Sequence, residues 1–189
     1  MSRKGLQVSV LVVAAVALSL PAWGQTGSAR LRAFEEVPAI SSNADGAITI
    51  RLNNAGTSLS YQLSYEGLQG AVTQAHIHIG QRGVNGGIMI FLCSNLGNGP
   101  AGTQACPASP ATITGTATAA DVVGPGAQGI TAGQFGEVLR AMRNGVTYAN
   151  VHTDLFPGGE IRGQLRFGRG GGNDGLTAED EAAEDHIHH

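Results

Sequence analysis

Apolar and polar positions alternate with a period of two over much of this 189-residue chain, the pattern of strands with one face buried. It is cleanest where Leu59, Tyr61, Leu63 and Tyr65 take one face while Ser58, Ser60, Gln62 and Ser64 take the other. Upstream, Ile48, Ile50 and Leu52 alternate with Thr49 and Arg51, and Asn53-Asn54-Ala55-Gly56 turns the chain, so a hairpin is predicted over 47–66. Ala29–Phe34 predicts an earlier strand, ended by Glu35-Glu36-Val37-Pro38 because proline donates nothing to a ladder. Further strands are predicted at Val72–Ile79, Ile88–Leu92, Ala111–Ala119 and Val146–Thr153. In the last strand, Ile161, Gly163, Leu165 and Phe167 oppose Glu160, Arg162, Gln164 and Arg166. Between 80 and 87 lies a glycine-rich loop expected to need several positive φ angles.

One segment departs from the alternation. Thr131-Ala132-Gly133-Gln134 has the spacing of a capping box, and Phe135, Val138, Leu139 and Met142 recur at helical spacing before Gly145. A short helix is predicted over 132–144, with its apolar stripe in the core. The domain is therefore all-β with one short helix. The 29 glycines and the aromatic content of only 5% suit many short strands joined by tight turns.

The two ends read differently from the middle. Residues 1–24 resemble a secretory leader: Arg3 and Lys4, an apolar run from Leu6 to Leu20, then Pro21 and the small-x-small Ala22-Trp23-Gly24. No stop-transfer charges follow the run, so export is expected, to the periplasm or the extracellular space, without a membrane span in the mature chain. Residues 169–189 form a glycine-rich linker and an acidic tail ending Asp185-His186-Ile187-His188-His189, too poor in apolar residues to fold alone. The tail is either a weak metal-gathering end or a solubilising one. Between them, 25–168 is one domain, near neutral with eight arginines against eight acids, and carries no nucleic-acid footprint. Cys93 and Cys106, the only cysteines, bracket a Gly/Asn/Pro-rich loop and predict a structural disulfide in an oxidising compartment. The alternative, a thiolate metal site, lacks any further cysteine.

The candidate chemistry lies in three histidines. His76 and His78 share one face of a strand, with Cα atoms about 6.6 Å apart, while Ile77 and Ile79 take the other face. His152 shares a face with Tyr148 and Asn150, opposite Ala149 and Val151. All three imidazoles thus project from the polar face of a strand whose other face is apolar. This places a site on the outside of a β-sandwich, roofed by glycine-rich loops. Neutral imidazoles suit copper or zinc, whereas Ca²⁺ and Mg²⁺ prefer oxygen donors. Asp154 and Glu160, near His152 in sequence, are candidates to fix a histidine tautomer from outside the ligand set. Arg162 is a further candidate, or simply Glu160's strand neighbour.

These residues carry a resemblance. Ala75-His76-Ile77-His78-Ile79-Gly80 with Gly83, Asn85 and Gly86, then Tyr148-Ala149-Asn150-Val151-His152-Thr153 and Pro157-Gly158-Gly159-Glu160-Ile161-Arg162-Gly163-Gln164-Leu165, resemble the CHRD domain over about 29–167. That family takes its name from the repeats of chordin, an extracellular antagonist of bone morphogenetic proteins, and also occurs as single exported bacterial domains. The resemblance implies an extracellular antiparallel Greek-key β-sandwich or barrel of the immunoglobulin/superoxide-dismutase type. A weaker similarity is to copper–zinc superoxide dismutases, whose copper is held by a His-x-His strand and a later histidine; His76, His78 and His152 match in order. The body has no histidine left for a metal-bridging position or a zinc site, so this similarity implies at most a copper-only centre, with no substrate-guiding role carried over to Arg162.

Three readings follow. One is a copper-binding (less readily zinc-binding) module for storage, buffering or delivery; another is a metal-free domain that binds an unnamed protein. The third is a copper-only enzyme dismutating superoxide. Neither a Gly-x-Ser-x-Gly elbow nor a His-Glu-x-x-His motif is present, so no catalytic residue is assigned.

Overall fold

A computed structural model describes residues 24–168. The expected leader (all but Gly24) and the expected tail lie outside the described residues. The strands are β1 (Thr26–Arg32), β2 (Asp45–Leu52), β3 (Ser58–Glu66), β4 (Val72–Ile79), β5 (Ile88–Ser94), β6 (Ala111–Thr118), β7 (Thr147–Thr153), β8 (Ile161–Gln164) and β9 (Arg166–Phe167). They run in the order β5-β4-β7-β8-β1-β2-β3-β6, with the short β9 also pairing β1. Every pairing is antiparallel. The sheet curls into a near-barrel of the immunoglobulin/superoxide-dismutase-like sandwich type, as the patterning and the resemblance led one to expect.

β2 and β3 pair over their full lengths, from Asp45 opposite Glu66 to Leu52 opposite Leu59. Here the period-two reading holds residue by residue: Ile48, Ile50, Leu59, Leu63 and Tyr65 are buried, while Arg51, Ser60 and Gln62 face outward. Opposite them, Ala75, Ile77, Met89, Leu92, Val151 and Ile161 fill the same core from β4, β5, β7 and β8. β8 meets β1 at a single register pair, Arg32 opposite Arg162.

The ends of the strand order, β5 and β6, are brought together by the loop between them. Gln104 Nε2 lies 3.1 Å from Leu92 O on β5 and 3.1 Å from Thr114 O on β6. The predicted disulfide joins Cys93 and Cys106 and anchors this loop. On β3, the Tyr61 hydroxyl donates to the same Leu92 carbonyl at 2.9 Å, tying the two halves through the core.

Three local expectations need correction. The first strand ends at Arg32, because Ala33–Glu35 forms a 3-10 turn ahead of the proline. The helix α1 is Phe135–Arg143, shorter than the predicted 132–144. Gln134 Oε1 does accept from Thr131 N at 2.8 Å, but Gly133 at φ 85° breaks the helical path, so the box closes a turn before the helix. The stripe of α1 is core as predicted, with Phe135, Val138, Leu139 and Met142 buried. In the 80–87 loop, positive φ occurs at Gly83 alone.

Candidate metal centre

The strands that carry the histidines differ from the rest of the sheet. All seven residues of β7 are buried, and so are Ala75, His76, Ile77 and His78 on β4. One face of these strands lies on the core, and the other lies under the chain segments at 33–44, 80–87 and 154–160. The expected outer face is therefore interior, and His76, His78 and His152 are 1%, 7% and 7% exposed. The expectation of a roofed site holds, but its placement on the surface does not.

Register brings the face together. His76 stands opposite Asn150, which stands opposite Arg162; His78 stands opposite Tyr148, and His152 opposite Gln74. On the β5 side the pairing shifts at Ala75/His76 and at Ile77/His78, and Phe91 comes opposite His76. Their rings meet edge to face at 4.5 Å.

Each imidazole has a defined orientation. His78 Nδ1 lies 2.9 Å from Gly86 O and His152 Nδ1 lies 2.9 Å from Pro157 O. A carbonyl only accepts, so both Nδ1 atoms carry the proton and both Nε2 atoms present a lone pair. His76 Nδ1 is 3.1 Å from His152 Nε2. Two nitrogens bound to one ion at about 2.0–2.1 Å are separated by about 2.9–3.4 Å in square or tetrahedral geometry, so this pair already has the spacing of two ligands. One nitrogen from each of the three histidines lies within 4.8 Å of the others, a little wider than the about 4.1 Å that two trans bonds span. His78 Nε2 is buried without a hydrogen-bond partner, as a lone pair kept for a cation would be.

Burial keeps the cluster uncharged. It pushes His78 down to about 4, against the pull of the Gly86 carbonyl. It also lowers His76 strongly, reinforced by its two histidine neighbours, and lowers His152 against the Pro157 carbonyl. Three neutral imidazoles crowded together suit a soft or borderline transition metal and repel additional protons.

The residues around the histidines come from all three covering segments. Gly86 lies so close to Ile79 that a Cβ would overlap the Ile79 carbonyl, and this close approach brings Gly86 O to His78. The Tyr148 ring stacks on His78 at 4.8 Å, and its other polar contacts are with Gly86, whose N–H it accepts at 3.2 Å. Arg162, 2% exposed, sets its guanidinium 3.4 Å from the Tyr148 centroid and donates to Asn85 Oδ1, Gln81 O and Val84 O. It therefore holds the loop that supplies Gly86.

Asp154 and Glu160 bond elsewhere. Asp154 Oδ1 accepts from Ala71 N at 2.8 Å, while Glu160 accepts from Ser42, Gln69 and Thr153. The tautomer-fixing role expected of them belongs to the backbone carbonyls of Gly86 and Pro157. Both acids instead brace the covering segments from which such carbonyls come.

Glu36 was not among the sequence candidates. Its carboxyl is buried and raised to about 7, chiefly by loss of solvent, with Arg162, the Val37 N–H and the Asn150 amide opposing the shift. Gly159, at φ 127°, makes room for it, because a Cβ there would strike Glu36 Oε1. The Pro-terminated strand end concealed this acid, and no periodicity marks it. Asn150 could have been found: asparagine is depleted within strands, and it shares a face with His152.

The class defined by these features is an antiparallel β-sandwich with a buried three-histidine cluster beneath loops. The CHRD domain profile matches residues 27–165, and the chain belongs to the CHRD-domain family. Neither a curated protein nor a solved structure matches it significantly. Among the described residues, no helix is long and apolar enough to cross a membrane.

Proposed function

We propose that this is an exported CHRD-domain protein that binds one copper ion, or less readily zinc, through His76, His78 and His152, to store, buffer or deliver it. The supporting observation is the convergence of three buried neutral imidazoles, two of them with Nε2 lone pairs fixed by backbone carbonyls. Arg162, through the 80–87 loop, supports the histidine set from outside it. The Cys93–Cys106 disulfide accords with an oxidising, exported setting. Burial of the ligands favours holding an ion over exposing it to a substrate, so superoxide dismutation by a copper-only centre is the weaker alternative.

A second reading has its own observation. Phe34, Val84 and Leu155 are 72%, 47% and 61% exposed, one on each segment that covers the cluster. A metal-free domain using those loops to bind another protein would present such side chains.

Metal analysis tests the first reading. The full chain carrying His186→Ala, His188→Ala and His189→Ala is loaded with copper and desalted. One equivalent is expected to remain, and adding His76→Ala with His78→Ala is expected to abolish it. Retention of copper by the latter variant defeats the assignment. A superoxide assay on the loaded chain then separates storage from turnover.

A further inference from the structure

We infer that the centre has a fourth ligand, the carboxamide oxygen of Asn150, and that it consequently takes a divalent borderline ion, Cu²⁺ or Zn²⁺, in a three-nitrogen, one-oxygen set. This rests on the histidine site proposed above and concerns what completes it.

The inference comes from a mismatch of donors and acceptors. His152 Nδ1 donates to Pro157 O, so in the neutral ring Nε2 is an acceptor. Asn150 Oδ1, also an acceptor, lies 3.0 Å from that nitrogen. Two lone pairs facing one another at this distance, 3% and 7% exposed, are unfavourable unless a cation lies between them. Turning the amide over moves the conflict to Glu36 whenever that carboxyl is ionised. The NH₂ group lies on the Glu36 side, for a Cβ on Gly159 would meet both Glu36 Oε1 and Asn150 Nδ2, and reversal would bring Oδ1 against that acid. The backbone leaves Asn150 little choice of place, because β7 holds it in register between His76 on β4 and Arg162 on β8.

A metal ion resolves the conflict by accepting both lone pairs. The 3.0 Å O···N separation and the 3.1 Å separation of His76 Nδ1 from His152 Nε2 both match adjacent donors at bond lengths of about 2.0–2.2 Å. An amide oxygen is a hard donor. It adds little for Cu⁺, which favours soft ligands, but suits the divalent ions. Glu36 then has a positioning role: it holds the amide NH₂ so that the oxygen faces the imidazoles.

The test uses the same tail-substituted full chain, with Zn²⁺ and Cu²⁺ affinities measured by competition against a chromogenic chelator and Cu²⁺ spectra recorded by electron paramagnetic resonance. Asn150→Leu is expected to weaken both ions by about 10–100-fold, the scale of losses seen when groups around a metal are removed. Asn150→Asp, which keeps an oxygen and adds charge, is expected to bind at least as tightly as the parent and to shift the Cu²⁺ spectrum. If the histidine double variant loses the ion while Asn150→Leu binds within threefold of the parent, the Asn150 ligand is refuted and the histidine site stands. If the parent binds no ion, or the histidine double variant binds as the parent does, the histidine site itself fails. Should Asn150→Leu not fold, an unchanged Cu²⁺ spectrum in Asn150→Asp overturns the inference.

Discussion

Replacing Arg162 by methionine removes a cation while filling nearly the same volume. The guanidinium donates to Asn85 Oδ1 at 2.9 Å, Val84 O at 2.8 Å and Gln81 O at 3.3 Å. It also lies against the Tyr148 ring and lowers the cost of charging Glu36. Hydrogen bonds to a charged group contribute about 1.5–3 kcal/mol each, and a desolvated cation–π contact about 2 kcal/mol. Relief from burying the cation offsets part of that sum, leaving an expected loss of about 3–5 kcal/mol. For a domain of this size the melting temperature should fall by about 10 °C, followed by circular dichroism. Arg162→Lys keeps the charge but lacks the planar fork and should recover less than half of the loss. Hydrogen exchange should quicken at the Val84 and Gly86 amides. Because Gly86 O orients His78, metal affinity should fall by about 10–100-fold as well. A variant melting within about 2 °C of the parent would show that the loop is held by its other bonds, and the pillar role assigned to Arg162 would have to be abandoned.

Three further outcomes follow from burial and chain closure. His78 stays neutral in the fold down to about 4, whereas an unfolded histidine gains its proton near 6.5; between these values the unfolded chain binds more protons, so acidification should remove up to about 3 kcal/mol through this residue. Glu36 acts in the opposite sense: its carboxyl, raised from 4.5 to about 7, keeps a proton the unfolded chain has released, so stability falls as pH rises through that window. Glu36→Gln should therefore be the more stable form at pH 8 in urea titrations and should show a steeper loss in acid; an unaltered pH profile would argue that the carboxyl is solvated. Cys93→Ser with Cys106→Ser opens a loop spanning 13 positions and should lower stability by about 3 kcal/mol in guanidinium unfolding; a loss under 1 kcal/mol would mean the loop is closed without the bond.

Local patterning revealed the parts of the fold that depend on neighbouring residues. The 58–65 alternation, the hairpin turn and the Val72–Ile79 boundaries all follow from side-chain parity, which a strand imposes without reference to the rest of the chain. Parity also placed the three histidines on shared faces. What it left out was the burial of those faces, because a polar face reads the same under water or under a loop. The cover depends on contacts between segments far apart in sequence: Asn85 with Val37, Arg162 with Val84, and Ser42 with Glu160. For the same reason no local pattern marks Glu36, and proximity in sequence points Asp154 and Glu160 at the histidines although their partners are backbone and hydroxyl groups elsewhere.

Gln104 has a further consequence, for how copies of this chain behave together. An open sheet carries a row of unsatisfied main-chain groups along each margin, a template for another molecule to extend. Here the two margins are β5 and β6, and one carboxamide occupies a carbonyl on each. On β5 the cover is shared, since Ser94 N donates to Gln104 O and Val123 N to Met89 O beside an Ile90–Val122 bridge; a reductant that left the interior packed would therefore loosen only the part of this guard against polymerisation that the cystine-held loop supplies.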